Sequence, residues 1–442
     1  MKIITTDYNQ KKFWVETEEK LNEVGCMNVI NIYPEYKMQQ MKGFGGAFTE
    51  AAGYNYSKLS KEAKNDFVNA YFSKEGLAYI LGRTHINSCD FALSNYAAVT
   101  DKEDGSFDTF NLNREEEYIL PLISDALKVS NNGIKFLLSP WSPPAFMKTN
   151  HDMNNGGKLK KEYYMAWANY LAKYIKEIKV KGVDVEYLSV QNEPEATQTW
   201  DSCLYSAEEE MEFVRDFLGP VLEKEGLKEV KILVWDHNKE IVYDRAKAIL
   251  EDKEAAKYIY GIAVHWYTGD HFEGLRLTKE KYPTKEIFFT EGCVEYSRFM
   301  DSNEVARAEM YAHDMIGNFT HGVSAFFDWN LLLDAFGGPN HVKNFCAAPI
   351  MCTEDEKGIE KRLSYYYIGH FSKYIKEGAY CIGITRYTTR LDACAFLNPD
   401  DERVIILMNG TDNTMNVTVR EGSIGKDIIL QPHTIATIIY SY

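Results

Sequence analysis

The chain has 442 residues, 45% of them hydrophobic and 14% aromatic, enough apolar material for one large core and a satellite domain. Its formal charge of −16 and pI near 5.2 disfavour nucleic acid as a partner, because such a surface repels a polyanion. A neutral substrate fits better, although the 30 tyrosines and 7 tryptophans are weak evidence for sugar stacking, since aromatics fill cores first.

The N-terminus, Met1-Lys-Ile-Ile-Thr-Thr-Asp7, has no apolar signal region, and no run along the chain is long enough to span a bilayer. As written the chain is expected to be cytoplasmic, or secreted if a leader has been removed. Two β-like runs follow, Phe13 to Thr17 and Met27 to Tyr33, both needing partners from elsewhere. From Gly43 onward, apolar β-like runs alternate with amphipathic segments such as Glu208 to Leu218, whose acidic residues crowd its first turn.

Eight such runs can be read: Gly43 to Phe48, Ala78 to Arg83, Ile134 to Trp141, Val185 to Glu193, Val230 to Asp236, Ile262 to Tyr267, Glu286 to Cys293 and Ser324 to Asn330. Alternation of this kind predicts parallel α/β architecture, and eight units predict closure into a (β/α)₈ TIM barrel. Beyond about residue 375 the pattern becomes short strands separated by Asn398-Pro399, Asn409-Gly410 and Gln431-Pro432 turns. The expected organisation is a barrel over 39–374 and an antiparallel β-sandwich built from both chain termini, 1–38 plus 375–442. The eight scattered cysteines, Cys26 among them, lack paired metal-ligand spacing and read as reduced, packed thiols.

Chemistry is expected where the strands end. Pro194 has no N–H to continue a ladder, so the run before it should stop with Glu193 in extended geometry at the barrel lip. Glu291 closes another apolar run about three βα units later, facing the same mouth. Two carboxylates across one barrel mouth are the minimum equipment for cleaving a glycosidic bond. Arg83, Asp90, Trp141, Asn192, Asp236, His265, Tyr267 and Trp329 gather at the same rim. Taken singly, each is as well explained by packing or a structural hydrogen bond. His265-Trp-Tyr267 offers no second histidine at zinc spacing, no phosphate-binding glycine loop is present, and no Gly-x-Ser-x-Gly elbow appears, so neither a cofactor nor a metal is expected.

Taken together, Gly43-Phe-Gly-Gly-Ala-Phe-Thr-Glu, Ser88-Cys-Asp-Phe91, Ser139-Pro-Trp-Ser-Pro-Pro144, Asn192-Glu-Pro194, Gly261-Ile-Ala-Val-His-Trp-Tyr267, Glu291-Gly-Cys293, Asp328-Trp-Asn330 and Gly337-Gly-Pro-Asn-His-Val-Lys-Asn-Phe345 resemble glycoside hydrolase family 30, close to its glucosylceramidase branch. The resemblance implies the same barrel and sandwich, and a retaining, exo-acting β-glycosidase that removes a terminal β-linked glucose by double displacement. It implies Glu193 as acid/base and Glu291 as nucleophile. Asn192 would contact the sugar 2-hydroxyl, and Tyr267 would lie against the nucleophile. Asp90, Trp141, Trp329 and Asn344 would hold the sugar, Arg83 would sit near the nucleophile, and Trp266 would join the sugar contacts. On this reading the charge on Glu291 keeps Glu193 protonated.

The implied partner is a carbohydrate or glycolipid substrate, with oligomeric state open. The loop Glu195 to Ser202 departs from the lysosomal members, which puts ceramide as leaving group in doubt. A β-1,6-glucanase or β-xylosidase on the same barrel is the alternative. A barrel that binds carbohydrate without cleaving it is disfavoured by the intact glutamate pair.

Overall fold

The computed structural model describes residues 1–25, 27–100, 106–299 and 301–441. The eight expected runs form one closed, all-parallel barrel: β1 (Gly43–Ala47), β2 (Leu81–Ile86), β3 (Lys135–Pro140), β4 (Asp184–Ser189), β5 (Lys231–Asn238), β6 (Ile259–His265), β7 (Glu286–Glu291) and β8 (Val323–Asn330). Each strand pairs with its neighbours in the sequence, and β8 closes on β1 through Ala325 opposite Gly43. The glycines of β1 also permit its close approach to β2, since a Cβ on Gly45 would lie 2.2 Å from the Leu81 carbonyl oxygen.

Period-two alternation builds the barrel interior in layers. Leu81, Leu137, Tyr187, Ala263 and Phe288 form part of a buried apolar floor. Two residues further along the same strands come Arg83, Ser139, Ser189, His265 and Thr290, all buried, so the floor is capped by a polar layer under the mouth. Around the barrel, the segment expected to be helical from Glu208 is a helix over Ala207–Phe213 that runs into a π turn at Val214–Leu218. A capping box starts it: the Ser206 hydroxyl accepts from the Glu209 N–H, and the Glu209 carboxylate accepts from the Ser206 N–H.

The second body is a ten-stranded sheet folded on itself around Ile30, Ile32, Ile382, Ile405, Val417 and Ile438. It draws strands from both chain ends: Lys2–Asp7 lies beside Thr434–Tyr440, and Val29–Gln40 lies between Tyr380–Arg386 and Met415–Glu421. The last of these pairings is parallel, where a purely antiparallel sandwich was expected. Strand Val29–Gln40 runs past the expected boundary at residue 38, pairing as far as Gln40 with Tyr380. Strands Lys2–Asp7 and Tyr380–Arg386 were not among the runs read from the sequence.

The two bodies meet through helices Glu304–Thr320 and Leu363–Ser372. Buried His370 ties the second helix to both chain ends, its ring nitrogens lying 2.8 Å from the hydroxyls of Thr6 and Thr437. Seven cysteines are free and buried, and Cys26 lies outside the described residues. Among the described residues, no helix is long and apolar enough to cross a membrane.

Candidate active site

The polar layer of the barrel is organised by Arg83, a fully buried guanidinium at the middle of β2. Its Nε donates to Ser139 Oγ at 3.1 Å, and its Nη1 donates to Glu291 Oε2 at 2.6 Å. Its Nη2 is shared between Asn192 Oδ1 at 2.8 Å and Asp236 Oδ2 at 3.0 Å. The planar cation also lies 4.8 Å and 5.4 Å from the Trp141 and Trp329 ring centroids. Burial would lower its pKa, but the Asp236 and Glu291 charges raise it instead.

Glu291, at the end of β7, accepts a second hydrogen bond from the Tyr267 hydroxyl at 2.8 Å. Asp236 opposes burial in the same way: desolvation would raise its carboxyl, and Arg83 with His265 holds it well below the usual range. Its Oδ1 accepts from Thr290 Oγ1 at 2.6 Å and pairs with His265 Nε2 at 3.0 Å. His265 Nδ1 then meets Glu193 Oε1 at 3.2 Å. Arg83, Asp236 and His265 thus link Glu291 to Glu193 in one buried chain of charged hydrogen bonds.

Charge in this chain differs from the sequence expectation that Glu291 keeps Glu193 protonated. His265 is buried, which lowers its pKa, yet Glu291, Asp236 and Glu193 together push it up to about 9. Burial raises the Glu193 carboxyl, but the His265 hydrogen bond and the nearby imidazoles hold it below the usual range. Burial pushes the neighbouring His237 ring down, so the positive charge beside Glu193 belongs to His265. Both directions favour the ion pair between Glu193 and His265 over its neutral form.

Backbone geometry also departs from expectation. Strand β4 ends at Ser189, and Glu193 has φ +46°, in the left-handed region and not extended. Its N–H donates to the Asp236 carbonyl at 3.0 Å, which fixes the turn that lifts the carboxylate into the mouth. Trp235 and Asp236 carry φ +75° and +45°, three non-glycine residues in strained conformation around one site.

A cavity of about 280 Å³ opens above this layer, near the lower end of ligand pockets. Glu193, Glu291, Asp90, Trp141, Asn192, Tyr267, Trp329 and Asn344, eight of the ten residues expected at the site, line it. Arg83 lies beneath as described. Trp266 is turned away: its indole packs 4.8 Å from Tyr311 and donates from Nε1 to the Cys293 carbonyl, outside the cavity. Alternation along the end of β6 explains this, since His265 and Tyr267 face the mouth and the residue between them must face the helices.

Trp141 and Trp329 stack with centroids 5.3 Å apart at 15°, an apolar wall. Asp90 accepts from Asn340 Nδ2 at 3.1 Å, and burial together with the Glu291 charge raises its pKa well above the usual range. Gln198, Trp200, His237, Asn238, Cys293, Glu295 and Arg298 also line the cavity but were not singled out from sequence. Gln198 and Trp200 belong to the loop already noted as unusual, and Glu295 and Arg298 follow Glu291 closely, so proximity to the motifs was their available signal. The second histidine that spacing along the chain did not offer is supplied in space by His237, whose Nδ1 lies 3.7 Å from Glu193 Oε1.

Residues 41–375 match the glycosyl hydrolase family 30 TIM-barrel domain, and residues 378–438 match the glycosyl hydrolase family 30 beta sandwich domain. Lysosomal acid glucosylceramidase of Mus musculus is 33% identical over 420 residues, covering 91% of this chain and 81% of that protein. The crystal structure of SrfJ from Salmonella typhimurium superposes with a TM-score of 0.96 at 40% identity, covering 100% of this chain and 99% of that one. An endo-beta1,6-glucanase structure gives a TM-score of 0.89 at 28% identity, covering 100% of this chain and 99% of the other.

Proposed function

The chain belongs to glycosyl hydrolase family 30 and is a glycoside hydrolase; from that premise we propose that it removes a terminal β-linked glucose with retention of configuration. The observation that carries the proposal is the pair Glu193 and Glu291 on one cavity, joined underneath by Arg83, Asp236 and His265. In a retaining mechanism such a pair stands about 5–5.5 Å apart. A Glu291 oxygen attacks the anomeric carbon while the bond to the leaving oxygen breaks, and that oxygen takes a proton from Glu193. The proton reaches Glu193 from His265 across their 3.2 Å hydrogen bond. Water then attacks the glycosyl ester, gives its proton back to the Glu193–His265 pair and frees Glu291. Because Arg83 and Tyr267 each donate to Glu291, the carboxylate is held in position both as nucleophile and as leaving group.

Exo action is supported by the small volume and by the wall of Trp141 and Trp329. A mechanism-based 2-deoxy-2-fluoro-β-glucoside with a good leaving group is expected to inactivate the enzyme and leave its mass on the peptide carrying Glu291. The first sugar released from nitrophenyl-β-glucoside is expected to be the β-anomer by proton NMR. Azide should rescue Glu193→Ala, giving the β-glucosyl azide. Release of the α-anomer, or label on another residue, overturns the assignment.

A second reading, cleavage of β-1,6-linked glucan, is favoured by the leaving-group side of the cavity, where Gln198, Glu295 and Arg298 offer polar contacts suited to a second sugar. Turnover of gentiobiose compared with glucosylceramide separates the two.

A further inference from the structure

The leaving-group wall holds one feature that proton transfer alone does not require. Glu193 Oε1, His265 Nδ1 and His237 Nδ1 converge on the same point, all three lying within 4.8 Å of one another. The His265 and His237 nitrogens stand 3.2 Å and 3.7 Å from the carboxylate oxygen. Tetrahedral zinc with bonds of about 2.0–2.1 Å to nitrogen and oxygen sets its donors roughly 3.3 Å apart, so both edges already have the length of a coordination polyhedron.

Two further observations point to a ligand. His237 Nδ1 is buried at the cavity wall with no hydrogen-bond partner among the described residues, an uncompensated polar atom of the kind that buried sites otherwise avoid. His265 is held from behind as metal-bound histidines are, its Nε2 donating to Asp236, a carboxylate fixed in turn by Arg83 and Thr290. That partner keeps the Nε2 proton in place and leaves Nδ1 facing Glu193.

We propose that Glu193, His237 and His265 form a binding site for a divalent transition metal of the zinc class, and that its occupancy switches hydrolysis off. Two imidazoles and one carboxylate are a borderline-soft donor set that suits Zn²⁺, Cu²⁺ or Ni²⁺ and not Mg²⁺ or Ca²⁺, which take oxygen ligands. The cavity side of the site leaves a fourth position for water. On binding, the metal displaces the proton shared by Glu193 and His265 into solvent and takes its place between them. The carboxylate then neither donates to the leaving oxygen nor accepts from water, so the metal is an inhibitor. The inhibitory consequence rests on Glu193 as proton carrier; the binding site itself does not.

The test separates the two. Zn²⁺ is titrated into the full chain by calorimetry at pH 7.5, and Co²⁺ is followed by its visible absorption. One metal per chain is expected, with the intense bands of a four- or five-coordinate ion. Affinity should fall by at least about tenfold in each of His237→Gln, His265→Gln and Glu193→Gln, the scale on which metal sites respond to loss of a supporting group. Thermal melting of each variant without metal establishes that it is folded, and added Zn²⁺ should raise the melting temperature of the wild type alone.

On nitrophenyl-β-glucoside, the ratio of rates with and without Zn²⁺ should drop for the wild type and stay near one for His237→Gln, whatever that variant's own rate. Absence of stoichiometric binding below millimolar Zn²⁺, or equal binding by all three variants, overturns the site. Site-specific binding without inhibition supports the site and counts against Glu193 as the proton carrier.

Discussion

Arg83 satisfies four acceptors and two indole faces with one side chain, and no other residue type has the donors to do so. Replacing it by methionine leaves buried Glu291 without its counter-charge and Asp236 with His265 alone. Breaking a buried pair in this way costs about 3–5 kcal/mol, so urea unfolding of Arg83→Met should show a loss on that scale together with a collapse of kcat/KM. Loss of activity at unchanged stability would mean that the guanidinium serves chemistry alone. At this scale the sequence was legible wherever a strand kept its alternation. Arg83 and Tyr267 could be read at strand ends, and the same alternation, applied one residue at a time, would have sent Trp266 outward. His237 was hidden because Trp235 and Asp236 adopt left-handed conformations, and the register against β6 slips between Trp235 and His237. Leu233 faces the barrel interior, and the slip brings Asp236, of the opposite parity, into the polar layer beside Arg83 while His237 stays at the cavity wall.

At the scale of elements, the helix from Ala207 shows how a distant local signal supports the mouth. Its fully buried Glu210 accepts from the Trp235 N–H at 2.9 Å and pairs with Arg245, so the helix start helps hold the strained end of β5. Removing the cap with Ser206→Ala frees the Glu209 N–H while the backbone half of the box stays, a change of about 1 kcal/mol. Chemical denaturation should register that loss while KM for nitrophenyl-β-glucoside stays within twofold; a larger rise in KM would place the helix start in control of the cavity. The eight strands and this helix were readable because hydrophobic period, proline stops and an acidic first turn agree with one another. The π turn at Val214–Leu218 left no such mark. Strand Lys2–Asp7 was passed over because one of its two neighbours, Thr434–Tyr440, lies at the other end of the chain, and a run of six residues carries little signal of its own.

Across the whole molecule, barrel and sandwich share charged seams as well as apolar ones. His313, on helix Glu304–Thr320, pairs with Asp392 of the sandwich at 2.8 Å and with Asp270 of the loop after β6 at 3.1 Å. The Asp392 hydrogen bond leads in raising its pKa to about 9, against an ordinary value of 6.5. A group whose pKa is raised on folding contributes fully below its unfolded value and loses that contribution as pH climbs through the folded one. The melting temperature should therefore fall between about pH 6.5 and 9 by an amount that disappears in His313→Gln; its partial exposure keeps the change modest. An identical slope in the variant would assign the loss to other groups.

The sheet that joins both chain ends also sets a timetable. A ribosome delivers all eight barrel strands, and with them both glutamates, before it makes Thr434–Tyr440, the strand that must slide between Lys2–Asp7 and Arg403–Asn409. Until then Lys2–Asp7 has only its hairpin partner Lys12–Glu18, and its other edge is open to adventitious strand partners. The hydrolytic machinery is thus assembled early, while protection of the nascent chain against aggregation arrives last.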